Sequence, residues 1–111
     1  MNTKSKQKEA INIGQLFMTQ GVNRQVADSS LFSRFVLGCV GRHRYQDWGD
    51  SSAHDKEMND YSLQHGGRII SSYNLPKGLQ ITDSYQRQQT RVWIITEANR
   101  AYTTVLFPSE Y

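Results

Sequence analysis

Between Arg42 and Asp60 the chain gathers most of the side chains it has for chemistry, in the run "GRHRYQDWGDSSAHDKEMND". His43, Asp47, Asp50 and Asp55 are the types that hold a divalent cation for phosphodiester hydrolysis, so a metal-dependent nuclease or hydrolase is one reading of the stretch. The spacing does not support it: there is no D-x-[DN]-x-[DN]-G loop, and His54-Asp55 does not begin an HExxH helix. We therefore expect no metal, no cofactor and no assigned catalytic residue. Recognition fits the spacing better. Asp47, Asp50, Asp55, Glu57 and Asp60 against Lys56 give a local balance of −4, directly after the basic run Arg42, His43, Arg44. A surface offering both signs suits a protein partner, and the expected contact set is Arg42, His43, Arg44, Tyr45, Asp47, Trp48, Asp50, Asp55 and Glu57. The plainer reading of the same residues is a helix terminus, with cations at the negative end of the helix dipole and solvated acids beyond it.

Other chemistries find less. Cys39 falls on an apolar helical stripe, which predicts a buried, inert thiol. Ser71 and Ser72 lie in a strand without a GxSxG elbow, and no phosphate loop, dinucleotide fingerprint or CxxC pair occurs. His43, His54 and His65 are of the type that titrates near neutrality. A second recognition reading rests on basic residues beside aromatics: Arg42, Arg44, Tyr85, Arg87 and Arg91 are the set that would bind nucleic acid. Tyr45, Trp48 and Tyr85 fall in predicted loops and are the candidates for exposed aromatic contacts; a helix stop does not require the indole, so the loop either docks Trp48 into the core as an anchor or displays it to a partner. Trp93 reads as core.

The totals bound these ideas. A chain of 111 residues suits one domain with a modest core. Its mean hydropathy of −0.67 is on the polar side, although six Tyr, four Phe and two Trp supply large core pieces. The formal charge of +3 is unevenly placed: Lys4, Lys6 and Lys8 against Glu9 contribute +2, leaving +1 for residues 10–111. We expect a flexible basic tail over 1–10 and a single domain over 11–111. One cysteine rules out an internal disulfide, no apolar run approaches the ~20 residues of a membrane span, and the Lys-rich start lacks a signal-peptide core. A cytoplasmic, membrane-free protein is expected.

The elements follow from periodicity. "INIGQLFMT" (11–19) alternates as a strand, and "QGVNRQVADSS" reads as turn and cap. Leu31, Phe32, Phe35, Val36, Cys39 and Val40 form one helical stripe over 30–40, with Ser29 or Ser30 as N-cap and Gly41 as the residue that ends the helix. "SAHD" opens a second helix over 52–64, thinly apolar and so superficial. "RIISSYN", "RVWIITE" and "YTTVLFP" are strands rich in β-branched and aromatic residues. The middle one has apolar groups on both faces and should be interior. Residues 75–89 are either an exposed loop or a hairpin extension. The order β-α-α-β-β-β predicts a two-layer α+β domain, with about four mainly antiparallel strands and two helices on one face.

The segments "RHRYQDWGD", "DKEMND", "GGRIISSY" and "VWIITEANRAYTTVLFPSEY" resemble a small bacterial family carried on plasmids, phages and integrative elements. Its members share approximately RH-x-x-GDWGD and IWIITEA-[DN]-R-x-x-T-T-[IV]-L-[FL]-P-x-EY. The match covers about residues 20–111, with Gln46 where the family has Gly and a longer 75–90 loop. The Gln46 departure suggests that the corner does not need a glycine. Family members are often labelled type I restriction methylase subunits, a label this chain does not fit: it has no NPP[FY] motif, only Asn74-Leu75-Pro76, and no room for a methyl-donor domain. The resemblance implies a mobile-element setting and assigns no residue. The leading expectation is a non-enzymatic binding protein that modulates or inhibits a host defence complex, restriction or CRISPR. A nucleic-acid-binding protein and a metal-dependent hydrolase are the alternatives.

Overall fold

Val92, Ile94 and Thr96 alternate with Arg91, Trp93 and Ile95, and a strand with apolar groups on both faces needs a neighbour on each edge. The computed structural model, which describes residues 8–111, provides both. The sheet runs β1-β4-β3-β2, where β1 is Gln15–Met18, β2 is Ile69–Asn74, β3 is Arg91–Thr96 and β4 is Tyr102–Leu106. β3 is antiparallel to β2 and to β4, while β1 lies parallel to β4 with Phe17 opposite Thr104. Between β1 and β2 come three helices: α1 (Gln20–Asp28), α2 (Ser30–Arg44) and α3 (Ala53–His65). The fold is thus α+β on a mainly antiparallel sheet, with one helix more than the periodicity predicts.

One sheet face carries the core. Tyr73, Val92, Ile94 and Val105 meet Val22 of α1 and Phe32, Val36 and Cys39 of α2, with Phe107 stacked on Phe32 at 5.8 Å between ring centroids. Each fully buried large side chain of this kind is worth about 1.5–3 kcal/mol. The stripe of α2 runs 32, 36, 39, 43, and Leu31, expected inside, is 62% exposed. Ser29 and Ser52 cap α2 and α3 as predicted, accepting from Phe32 N and Asp55 N. α3 adds no apolar residue to the core. It lies along the β2 edge, where its one buried residue is Asn59.

Three expectations are corrected. The first strand shrinks to Gln15–Met18, and the "turn" after it is α1. Thr19 makes no side-chain cap for that helix; Glu110 caps it from the far end of the chain, one carboxylate oxygen accepting from Gly21 N at 2.8 Å and the other from Thr19 Oγ1 at 2.6 Å and Phe107 N at 3.0 Å. A Cβ on Gly21 would come within 2.7 Å of that carboxylate, so the glycine is a close-approach residue. Residues 8–10 of the expected tail are pinned to the corner, since Gln46 Nε2 donates to Glu9 O at 3.0 Å and Lys8 Nζ to Gln46 O at 3.4 Å; the rest of that tail lies outside the described residues. The 75–89 segment extends the hairpin by one bond, Leu75 N to Thr90 O, and then folds inward. Ile81 enters the core, and the fully buried Gln25 accepts from Thr82 N, Thr82 Oγ1 and Asp83 N through one carbonyl oxygen.

Replacing Glu110 by Ala orphans Gly21 N and Phe107 N, which are part-buried. The expected loss is about 2 kcal/mol, read as a lower urea midpoint at unchanged m-value; an unchanged midpoint would remove Glu110 from the role of cap.

Candidate functional site

α2 does not stop at Gly41. It continues through Arg44 and turns on Gln46, whose φ of +67° is left-handed. The corner therefore does take the conformation that favours glycine, and Gln46 adopts it at a cost of about 1–2 kcal/mol. Arg42 then reaches forward to clamp Asp47 with two bonds, Nε to Oδ2 at 2.8 Å and a second nitrogen to Oδ1 at 3.2 Å. Its guanidinium lies 5.1 Å over the Tyr73 ring, and the Tyr73 hydroxyl donates to Asp47 O at 2.8 Å. Arg42 holds the Asp47 carboxyl below its ordinary value, with Gly49 N as a further donor.

Beyond Asp47 the chain seals the free edge of β2. Asn59 pairs with both backbone groups of Ile70, at 2.8 and 3.1 Å. Ser51 Oγ accepts from Ser72 N at 3.1 Å, and Asp50 N donates to Ser72 O at 2.7 Å. Asp50 Oδ2 accepts from Asn74 N at 2.9 Å. Five of the six outward backbone groups at Ile70, Ser72 and Asn74 are thus satisfied by residues 50–59, with one bridge between Gly49 and Ser72, which blunts the hazard of an open edge.

His43, expected at the surface, is interior, and of the two places open to Trp48 the structure takes the core anchor. His43 is fully buried, its Nδ1 2.6 Å from Ser71 Oγ and its Nε2 2.8 Å from Thr96 Oγ1. Thr96 Oγ1 lies 2.6 Å from Thr103 Oγ1, which donates to Ile13 O at 2.7 Å. A carbonyl can only accept, so the direction of the whole chain follows from that last bond. Thr103 receives from Thr96, Thr96 receives from His43 Nε2–H, and Nδ1 receives from Ser71. The imidazole is the neutral Nε2–H tautomer, and burial lowers its pKa from 6.5 to about 4. Trp48 is 4% exposed, its ring 5.6 Å from His43 and its Nε1 donating to Asp60 Oδ1 at 2.9 Å, which ties α3 to the corner. Cys39 is buried as expected, and burial pushes its thiol up to about 12.

Of the predicted partner set, Arg42, Arg44, Tyr45, Asp47, Asp50, Asp55 and Glu57 are all exposed; of these, Arg42 and Asp47 hold each other and Asp50 holds β2. His43, Asp47, Asp50 and Asp55 do not converge, and among the described residues no group of three or more His, Cys, Asp or Glu is placed to hold a metal. The nucleic-acid set is split: Arg42 lies over Tyr73 at the core face, Arg91 alternates onto the opposite face, and Tyr85 is 83% exposed beneath Arg24 rather than beside either.

What the sequence reading missed is a groove on the other side of the sheet. Trp93 and Ile70 line it from the sheet, Asp55 and Met58 from α3, and Tyr111 from the C-terminus, enclosing about 610 Å³. Trp93 is half-buried there rather than core, edge-on to Tyr111 at 5.7 Å. Arg68 borders it, bonded to the Tyr111 hydroxyl at 3.1 Å and paired with Glu97 at 3.4 Å. Arg91 borders it too, exposed. Ser72, 8% exposed, also lines the groove, and its Oγ has no hydrogen-bond partner. The available signal was the alternation of β3, which puts Arg91, Trp93 and Ile95 on the face away from α1 and α2.

The architecture is that of a small two-layer α+β protein, and among the described residues no helix is long and apolar enough to cross a membrane. The chain matches no family model, no curated protein and no solved structure.

Two outcomes are expected. The folded pKa of His43 lies below its unfolded one, so as the pH falls the unfolded chain takes up this proton first. Stability is then full above about pH 6.5 and declines by about 3 kcal/mol by about pH 4; His43→Gln should flatten that part of the profile in denaturant titrations, and an equal slope in both proteins would refute the assignment. At Gly49, φ is +64° and a Cβ would sit 2.4 Å from the Tyr73 ring. Gly49→Ala should cost about 3 kcal/mol, checked by thermal and chemical melting.

Proposed function

We propose that the protein is a non-enzymatic binding protein acting on a protein partner, and that its contact site is the groove between α3 and the outer sheet face. The observation that carries this is the composition of that groove. Its lining holds an aromatic pair, Trp93 and Tyr111, the carboxylates Asp50 and Asp55, the cations Arg68 and Arg91 at opposite ends of the β2–β3 pair, and an unpartnered Ser72 hydroxyl. Aromatic and arginine anchors in a part-desolvated pocket are what protein interfaces concentrate, and charges of both signs at the rim set orientation and rate of encounter. The corner at 42–50 adds only Asp50 to the groove; Arg42 and Asp47 lock the turn that supports it.

The likeness to plasmid, phage and integrative-element proteins supports a mobile-element setting, in which the partner is a component of a host restriction or CRISPR complex. A nucleic-acid partner has less support, because the candidate arginines are divided between opposite faces of the sheet.

Arg91→Glu combined with Asp55→Arg reverses one cation and one anion of the groove lining and touches no core residue. In a host carrying an active restriction or CRISPR system, the wild-type protein is expected to raise plasmid transfer and the double variant to lose that effect at least about tenfold, equivalent to about 1.4 kcal/mol of binding, with unchanged melting. Equal protection by the two proteins would reject the groove as the contact site, and no protection by either would reject the defence-directed reading.

A further inference from the structure

The two edges of the sheet are treated in opposite ways. β2 is sealed at Ile70, Ser72 and Asn74 by Asn59, Ser51 and Asp50. β1 closes the other side of the sheet order, with β4 as its one strand neighbour among the described residues. Gln15 N donates to Ala101 O and Thr19 N to Val105 O, so the odd-numbered residues of β1 face β4. By alternation the backbone groups of Leu16 and Met18 face outward. Natural edges are blunted by shortness, charge, proline, a bulge or a covering element; β1, at four residues, uses the first of these. Here there is no Asp, Glu, Lys or Arg from Ala10 to Asn23, and no proline either. On the outer face the same edge shows Phe17, 46% exposed, set edge-on against Tyr102, 41% exposed, at 5.8 Å.

We propose that β1 is a self-association edge on which a second copy of this chain pairs antiparallel, Leu16 opposite the second copy's Met18 and Phe17 opposite its own counterpart across the two-fold axis. The register follows from the outward groups. An antiparallel pair exchanges bonds between residues whose N–H and C=O both face the partner, which here are Leu16 and Met18. Setting these opposite each other gives two bonded pairs and leaves Phe17 at the non-bonded position between them, where side chains of opposed residues approach most closely. Phe17 and Tyr102 of each copy then form one cluster of four rings on the same face. An isologous contact of this kind must be self-complementary, and an uncharged edge meets its own copy without like-charge repulsion. The contact is small beside the about 1,600 Å² of a standard interface, so the dimer is reversible and forms as concentration rises. The inference is independent of the groove, which lies toward the opposite edge.

The test uses the full chain. In sedimentation equilibrium the wild-type protein is expected to pass from monomer to dimer over a roughly hundredfold rise in concentration, and Phe17→Lys to weaken association at least about tenfold with unchanged melting. Register is read separately with cysteines, the buried Cys39 staying silent. In the proposed pairing the two residues at position 17 have Cα atoms about 4.5 Å apart, within disulfide reach, whereas those at 15 lie about 14 Å apart. Phe17→Cys should therefore give a covalent dimer under mild oxidation at least about tenfold faster than Gln15→Cys. A wild-type protein that stays monomeric throughout, equal crosslinking at 15 and 17, or capture of a different protein's strand by a monomeric chain would each overturn the proposal; should Phe17→Lys fail to fold, the cysteine comparison decides alone.

Discussion

A single line of hydrogen bonds holds the helical layer to the sheet. It starts at Ser71 on β2, passes through the His43 imidazole at the end of α2, crosses Thr96 on β3 and Thr103 on β4, and ends at Ile13 O just before β1. His43, Thr96 and Thr103 each accept one bond and donate one, between Ser71 as first donor and Ile13 O as last acceptor. A buried polar chain in that condition strengthens along its length, while one with a missing member leaves costly orphans. Burial keeps the His43 imidazole neutral, and its Nε2–H is the donor that Thr96 needs. That requirement explains why α2 runs past Gly41: the helix must continue one more turn to place residue 43 opposite Ser71.

The residues after His43 then have a defined task. Gln46 turns the chain, Arg42 and Asp47 lock the turn, and Gly49, Asp50, Ser51 and Asn59 satisfy the β2 edge. Trp48 sits between His43 and Asp60, joining this seal to α3. Arg42, Asp47 and Asp50 stay exposed, yet each already holds a partner within the chain. The sites free to meet other molecules lie elsewhere, in the groove of Trp93 and Tyr111 and along the bare β1 edge. They share the sheet face that α1 and α2 leave uncovered.

Local signals were legible where a short stretch decides its own structure. The capping serines at 29 and 52, the interior character of β3, the burial of Cys39 and the α+β class all follow from neighbours within a few residues. The fate of His43 was half legible, because it continues the 32, 36, 39 spacing of the buried stripe; what hid it was Gly41, a plausible helix end that the tertiary environment overrides. α1 was not legible, since Gly21 and Asn23 lower its helix propensity and its cap, Glu110, is 89 residues away. The role of Trp93 was misread because alternation alone does not say which face the helices will cover.

Periodicity and capping, written in the chain itself, determined which segments become helices and strands and which face of each is apolar. Only the tertiary structure decided which polar groups are used up, because a hydrogen bond between Asp50 and Asn74, or between His43 and Thr96, depends on strands brought together across long stretches of chain. Charge in a sequence is a count of groups; whether a group is available for a partner depends on what desolvates and pairs it, and that is a property of the folded arrangement.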